Sequence, residues 1–435
     1  MNILEKTIYN LVRENPALKN TIRNFYQSIF DAIPVSKSRS SYEIVDRKGF
    51  FFGFHDNSPF SYDNKKLLAN KANFDLKMPK KDDALDIGYF DGEDFKNFNK
   101  VASSRSWSWH LGCKLQWVGK SNYLVFNDHI DGSNMARCIN IDNGHEKILP
   151  SSLGSVSPDG RWGIGYSFAR VQKCMPGYGY IQDTDEAEID SLIPTNSGIY
   201  KIDMDSGIKK NILNISDLAE FNTTPSMKDA KHFFTHTQIS PDSKRFMFLH
   251  RWIHPNKNID KRFSRLVVCD INGSILDILN TLEMVSHIGW QDSNHIIAYC
   301  RLPDQDNQYG LFKIGDPDAT EVVGKGILTS DGHPSFDSTK RWIITDTYPN
   351  RRRVQTLILY DVLDKKKYDI AKLFMPKDYQ SPSSDFHWAC DLHPRWDKHS
   401  RFLCFDSTFN GHRSLCTIDL GEDIKNNDIK NIQGY

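Results

Sequence analysis

Neither sign of charge dominates this chain: 435 residues carry 55 Lys and Arg against 55 Asp and Glu, a formal net charge of zero. No overall field draws it to nucleic acid or to an anionic membrane, so neither is an expected partner. No apolar run approaches the ~20 residues that a membrane-spanning helix needs. The opening residues, MNILEKTIYNLVREN, are interrupted by charges in a way that a secretory leader is not. The eight cysteines (113, 138, 174, 269, 300, 390, 404, 416) lack the CxxC pairing of a zinc site and fall mostly in strand-like runs such as LVVCD and HIIAYC. Reduced core thiols in a cytoplasmic protein are the expectation. GxGxxG, P-loop, GxSxG and HExxH motifs are missing, which removes the signals for a nucleotide cofactor, a serine-hydrolase elbow and a zinc-protease helix.

What is present suffices for a large core, with 39% apolar residues, 26 Phe, 17 Tyr and 9 Trp. Residues 1–41 read as an N-terminal amphipathic helical segment. Leu4, Ile8, Leu11 and Val12, and then Ile22, Phe25, Ile29 and Ile33, have helical spacing on either side of a break at Asn15-Pro16. Such helices can pack on the main domain or dock a partner; their cationic face is too thin for membrane binding.

From Tyr42 to the end, short β-type runs alternate with turns, and one pattern recurs. It reads SYDNKKLLA around Asp63, QWVGKSNYLVF around Val118, SPDGRWGIGY around Asp159 and SPDSKRFMFL around Asp242. It continues as GWQDSNHIIAY around Gln291, SFDSTKRWIIT around Asp337 and RWDKHSRFLCF around Asp397. Each has the chemistry of a hairpin, a turn carboxylate followed by an alternating strand. The anchors are 55, 41, 83, 49, 46 and 60 residues apart, near the roughly 40–50 of a four-stranded propeller blade. Seven copies predict an all-β, seven-bladed β-propeller over 42–435, with the short helical extension ahead of it. The longest interval holds the acidic run QDTDEAEIDS at 182–191, which lacks the Gly and terminal Glu of a calcium loop and reads as a surface excursion. About three strands follow Asp397, so strand-like Tyr42–Val45 is expected to complete the last blade.

Propellers place ligands at one mouth of the central channel, on loops entering the innermost strands. Counted back from the anchors, Gln238, His287, His333 and His393 stand four residues before, His236 six before, and His55 and His110 eight before. All offsets are even, so the side chains share a strand face. Taken singly, each histidine fits a structural role. As a group, His287, His333 and His393 with Gln238 or His236 suit a divalent metal, since imidazole accepts Zn, Mn, Fe or Ni; they equally suit acid, base and donor roles. A second cluster joins His110 in SWSWHLGCKLQW, His129 in VFNDH, Arg170 in GYSFARVQ, and Tyr178 and Tyr180 in PGYGY. Imidazoles, a guanidinium and phenols suit β-elimination next to a uronate carboxylate, which must be neutralised while a proton is taken and the leaving oxygen protonated. The carboxylate pair of ordinary glycosidases gives no clear signal.

The blocks HDNSPFSYD, WSWHLGCKLQW, FNDH, VSPDGRWGIGYSFAR, PGYGY, FLHRW, SHIGW, DGHPSFD, TDTYP and DLHPRWD resemble the seven-bladed propeller polysaccharide lyases typified by ulvan lyases, over roughly residues 48–420. HTQISPD and SHIGW are similar, more distantly, to oligogalacturonate lyase. The first resemblance implies His110 and His129 as the catalytic histidine pair and Arg170 as the arginine facing the uronate carboxylate. That family's catalytic Tyr, sixteen residues before the Arg, is Gly154 here. The second implies His236 as catalytic and His287 as a metal ligand, with His333 near the others. Together these give a cytoplasmic lyase acting on a uronate-containing glycan. Its catalytic residues are His110, His129, Arg170 and His236, its substrate contacts His55, Tyr178, Tyr180 and Arg251 (of FLHRW), and its cofactor a divalent metal (Mn, Zn or Ca). The alternative is a non-catalytic glycan-binding or scaffold propeller of bacterial surface-polysaccharide metabolism.

Overall fold

The computed structural model describes residues 37–74, 76–184, 186–255, 262–381 and 387–432. The helical segment expected ahead of residue 37 lies outside them. Seven antiparallel sheets follow one another along the chain, as the repeats predict. Their first strands, innermost in each blade, are Phe50–Phe51, Gln116–Trp117, Ser155–Val156, Lys231–Ile239, Val285–Trp290, Ser335–Phe336 and Arg395–Trp396. Strand order runs outward in sequence within blades one to five. Blade six gains Arg39–Ser40 as a fifth strand against Lys366–Phe374, so these two residues, ahead of the expected boundary, are strand. Three short helices, Phe168–Cys174, Ile215–Ala219 and Asp423–Asn426, decorate the described part. Among the described residues, no helix is long and apolar enough to cross a membrane.

Every blade interface is an apolar layer, because alternate residues of one strand go to opposite neighbours. Met247 and Leu249 pack with blade five, while Phe246 and Phe248 pack with blade three. Ile296 and Ala298 meet blade four, and Ile297 and Tyr299 meet blade six. Both faces of each sheet are thus buried, which is why the strands read as nearly continuous hydrophobic runs.

The hairpin turns show why the repeat has two spellings. In blades one, three and four a Ser-x-Asp turn forms: Ser157 Oγ donates to Asp159 (2.6 Å), which accepts the Arg161 N–H, and Ser157 Oγ also accepts the Trp162 N–H. Ser61 and Ser240 repeat this. In blades six and seven the carboxylates of Asp337 and Asp397 themselves accept the N–H five residues on, from Trp342 (2.9 Å) and Phe402 (3.0 Å). The equivalent positions are therefore Ser61, Val118, Ser157, Ser240, Gln291, Asp337 and Asp397. Three of the anchors read from sequence move by two residues. Counted from Ser240, His236 takes the place of His287, His333 and His393, four residues before the turn, and Gln238 does not.

The ring closes as the strand count requires, three residues later than expected. Val45–Lys48 is the outermost strand of blade seven and pairs Val45 with Thr417 and Lys48 with Ser414. Buried Arg47 fastens this strand to blade one, donating through Nε to the Phe95 carbonyl (2.8 Å), and to its own blade through the Thr417 hydroxyl (3.2 Å). Deleting residues 40–48 is expected to lower the melting temperature of the whole domain in one cooperative transition. Arg47→Ala is expected to cost about 2 kcal/mol by chemical denaturation. An unchanged melting temperature in the deletion would refute closure by this strand.

Candidate functional site

The inner strands aim side chains at the axis by breaking regular strand geometry. The pairing register shifts between Thr235 and Gln238 in blade four and between Val285 and Ile288 in blade five. Such bulges re-aim a side chain. His236 and His393, and Lys114 at the same position of blade two, adopt positive φ of 57°, 46° and 56°, a conformation that costs a non-glycine residue energy and recurs at functional sites.

Phe54 stands at the centre, 3% exposed. Around its ring, centroid to centroid, lie His55 (4.4 Å), His236 (4.5 Å), His393 (5.0 Å), His333 (6.0 Å) and His287 (6.2 Å). His333 lies 4.0 Å from His287 and 4.3 Å from His393. His287 Nδ1 bonds Asp331 (2.9 Å) and His333 Nδ1 bonds Asp346 (2.8 Å). Such carboxylates fix ring and tautomer, as they do for metal-bound or catalytic imidazoles.

His110 extends the cluster toward the loops. Its Nδ1 is 3.7 Å from Asp391, and His393 Nε2 is 4.0 Å from the same oxygen. The donor atoms of His110, Asp391 and His393 lie within 4.8 Å of one another, and all three residues are buried. His110 Nε2 meets His387 Nδ1 at 2.5 Å, and Tyr178 stacks on the His110 ring (4.2 Å, 15°). Arg251, 7% exposed, is faced by Tyr178, Tyr348 and Asp331. Among the described residues its Nε has no partner, and Nη2 makes one long bond to the Ser286 carbonyl (3.5 Å).

The expected residues thus separate into two groups. His55, His110, His236, His287, His333, His393, Tyr178 and Arg251 converge on one region. Arg170, expected to hold a carboxylate, does not. Its Nε donates to the His232 carbonyl (2.7 Å) and its Nη atoms to the carbonyls of Ile189, Ser191 and Leu192, so its donors are spent pinning the acidic excursion to blade four. Tyr180 is core, stacked on Phe168 (4.4 Å), its hydroxyl accepting from Asn127. His129 sits at the end of Tyr123–Ile130, and no ring pair joins it to His110 among the described residues. Gln238 donates to the Ile288 carbonyl (3.0 Å) rather than joining the imidazoles. Gly154 cannot be exchanged for the missing Tyr, because a Cβ there would lie 2.3 Å from Thr237 Oγ1.

Asp331, Asp346, Asp391, His387 and Tyr348 were not singled out. A signal existed for two of them: Asp331-Gly-His333 and Asp391-Leu-His393 repeat one Asp-x-His spacing. Each carboxylate serves another blade, Asp331 bonding His287 and Asp391 facing His110.

Burial sets the electrostatics. It pushes His55, His110, His236 and His393 well below the usual imidazole value, helped by neighbouring cations and imidazoles. Burial also lowers His333, but Asp346 and its hydrogen bonds outweigh this and leave it raised. Burial raises Asp391 to about 6 and lowers Arg251 to about 9, with Arg262 adding to the latter.

Two predictions follow from these placements. Eight histidines (55, 110, 232, 236, 250, 287, 387, 393) titrate lower in the folded chain than at the ordinary 6.5, and His333 titrates higher. Below pH 6.5 the unfolded chain therefore binds more protons than the folded one, and stability falls as pH falls through that window. His333 and Asp391, both raised in the fold, contribute in the opposite sense and are outnumbered. Melting curves are expected to drop by several degrees between pH 7 and pH 5; a rise would contradict neutral buried imidazoles. Arg170→Ala is expected to cost about 3 kcal/mol of stability by emptying a buried position and releasing the hydrogen bonds that hold the acidic excursion.

No protein-family model matches the chain, and no curated protein matches it. Solved structures do. An oligogalacturonate lyase in complex with manganese superposes with a TM-score of 0.58 at 12% identity, covering 90% of this chain and all of that one. The oligogalacturonate lyase from Vibrio parahaemolyticus gives 0.55 at 12% identity, with the same coverage. At this identity the likeness establishes the seven-bladed architecture.

Proposed function

We propose that this propeller is a carbohydrate-active lyase that cleaves a uronate-containing oligosaccharide by β-elimination. The observation that carries the reading is Arg251: a buried guanidinium with donors to spare, whose charge acts on His236, an imidazole that burial keeps neutral. The architecture shared with two oligogalacturonate lyases supports it.

Arg251 binds the substrate carboxylate, and its charge stabilises the carbanion that forms α to it. His236 accepts the α-proton. The freed electron pair closes a carbon–carbon double bond as the glycosidic carbon–oxygen bond breaks. Tyr178, held over His110, gives the leaving oxygen its proton. Two imidazole nitrogens and one carboxylate oxygen on His110, Asp391 and His393 fit Mn or Zn and do not suit Ca, which takes six to eight oxygens. A cation held there supplies further positive charge toward the carboxylate. His387 fixes the orientation of His110 from the far side. This arrangement replaces Arg170 and His129 with Arg251 and His236. Eight free, buried cysteines suit a reducing compartment, so we place the protein in the cytoplasm.

Turnover is expected as ultraviolet absorbance of the unsaturated product with a panel of uronate oligosaccharides. Arg251→Gln is expected to lower kcat/KM by about 10³ with little change in melting temperature, whereas Asp391→Asn is expected to weaken a Mn²⁺-dependent rise in melting temperature that Ca²⁺ does not produce. Silence across a broad panel from folded, Mn²⁺-loaded protein would overturn the lyase reading. It would favour a glycan-binding propeller without turnover, a second reading supported by the closed position at Gly154.

A further inference from the structure

The opposite end of the channel, on the hairpin-turn side, holds a separate cavity of about 270 Å³, to which all seven blades contribute. There the blades satisfy one another's inner edges through side chains. Three blades place a Trp just before the turn position. Trp117 of blade two donates through Nε1 to the Pro59 carbonyl of blade one (2.9 Å), and Trp396 of blade seven donates to the Ser335 carbonyl of blade six (3.1 Å). Each acceptor lies two residues before the turn position of the preceding blade. The equivalent donor in blade five is Trp290, whose counterpart would be Gln238 of blade four. Trp290 Nε1 is buried and has no partner among the described residues. Trp117 and Trp290 both line this cavity, and of these two only Trp290 has its N–H left over.

A second orphan lies beside it. His55, 5% exposed and also lining the cavity, directs Nε2 at the Ile288 carbonyl (3.2 Å), so that nitrogen carries the proton. Its Nδ1 is then an acceptor, and it has no partner. At the rim, Lys120 and Lys398 lie over the ring of Tyr62 at 4.3 and 5.6 Å. The charged groups that face Lys398 are Tyr62 and Lys120, with no carboxylate among them. Asp56 in the lining is already paired with Lys114. The unmatched charge at this mouth is positive. The walls of the cavity include Trp290 and His55, whose unpartnered nitrogens are covered until a neighbouring side chain turns, and aromatic rings; together these suit hydroxyls and the apolar face of a sugar.

We propose that the turn-side mouth is a second binding site, for a monosaccharide bearing one carboxylate. The carboxylate meets Lys398 and Lys120, and a ring or hydroxyl oxygen accepts from Trp290 Nε1. This site does not depend on the lyase reading: Phe54 and the imidazoles around it fill the axis between the two mouths, with His55 bordering both.

Calorimetric titration of the full chain with galacturonate and glucuronate, against galactose and glucose, tests it. At least one uronate is expected to bind, and its neutral counterpart at least ~tenfold more weakly. Trp290→Phe keeps the ring and removes the N–H; Lys398→Gln removes a rim charge and leaves the buried packing alone. Each is expected to weaken uronate binding by about tenfold. Arg251→Gln, at the other mouth, is expected to remove at most the uronate binding of that mouth and to keep the component that Trp290→Phe and Lys398→Gln weaken. The proposal is overturned if no uronate binds, if neutral sugars bind equally well, or if Lys398→Gln and Trp290→Phe bind as the parent does. It is equally overturned if Arg251→Gln abolishes all uronate binding.

Discussion

Burial of both faces of every sheet is the constraint from which the rest of this protein follows. A blade has no solvent-facing side, so its strands cannot alternate polar with apolar. Met247 and Leu249 go one way, Phe246 and Phe248 the other. Polar residues are consequently pushed to the strand ends, toward the two mouths of the channel. Chemistry gathers at the axis because the layers between blades have no room for it.

Burial also decides what those polar residues are. Seven strand ends meeting at an axis exclude water, and uncompensated charge there is costly. The structure answers with neutral imidazoles at His55, His110, His236 and His393, and with acids only where a partner awaits, as at His333 and Asp346. Arg251 departs from that economy, charged and under-bonded in a buried setting. Lys114 does not depart from it, since Asp56 compensates it.

How much of this was legible in the sequence depends on whether the signal was local. Hairpin turns are local, so the seven repeats, the architecture and the gathering of histidines at one end could be read directly. The spelling of the turns misled by two residues, because Asp337 and Asp397 do in one side chain what Ser157 and Asp159 do in two. That shift put Gln238 where His236 belongs. Arg170 misled differently: its destiny is set by the carbonyls of Ile189, Ser191 and Leu192, and no spacing in the chain reports a hydrogen bond to a backbone oxygen. Asp391 did carry a local signal, the Asp-x-His spacing it shares with Asp331, but its role stayed out of reach because the imidazole it faces at 3.7 Å, His110, is supplied by a blade two hundred and eighty-one positions earlier.

The closing strand has a consequence for how the molecule is made. Arg47 meets Thr417 across 370 residues, so the first strand leaves the ribosome long before its partner exists. Until the C-terminal strands arrive, the growing arc has two naked ends, each an apolar sheet face awaiting a neighbour. Contacts so distant along the chain slow folding and leave such surfaces open to aggregation. Nascent chains of this protein are therefore natural clients for chaperones until the strand Ser414–Asp419 has emerged, and a truncation ahead of that strand should leave an insoluble product rather than a smaller propeller.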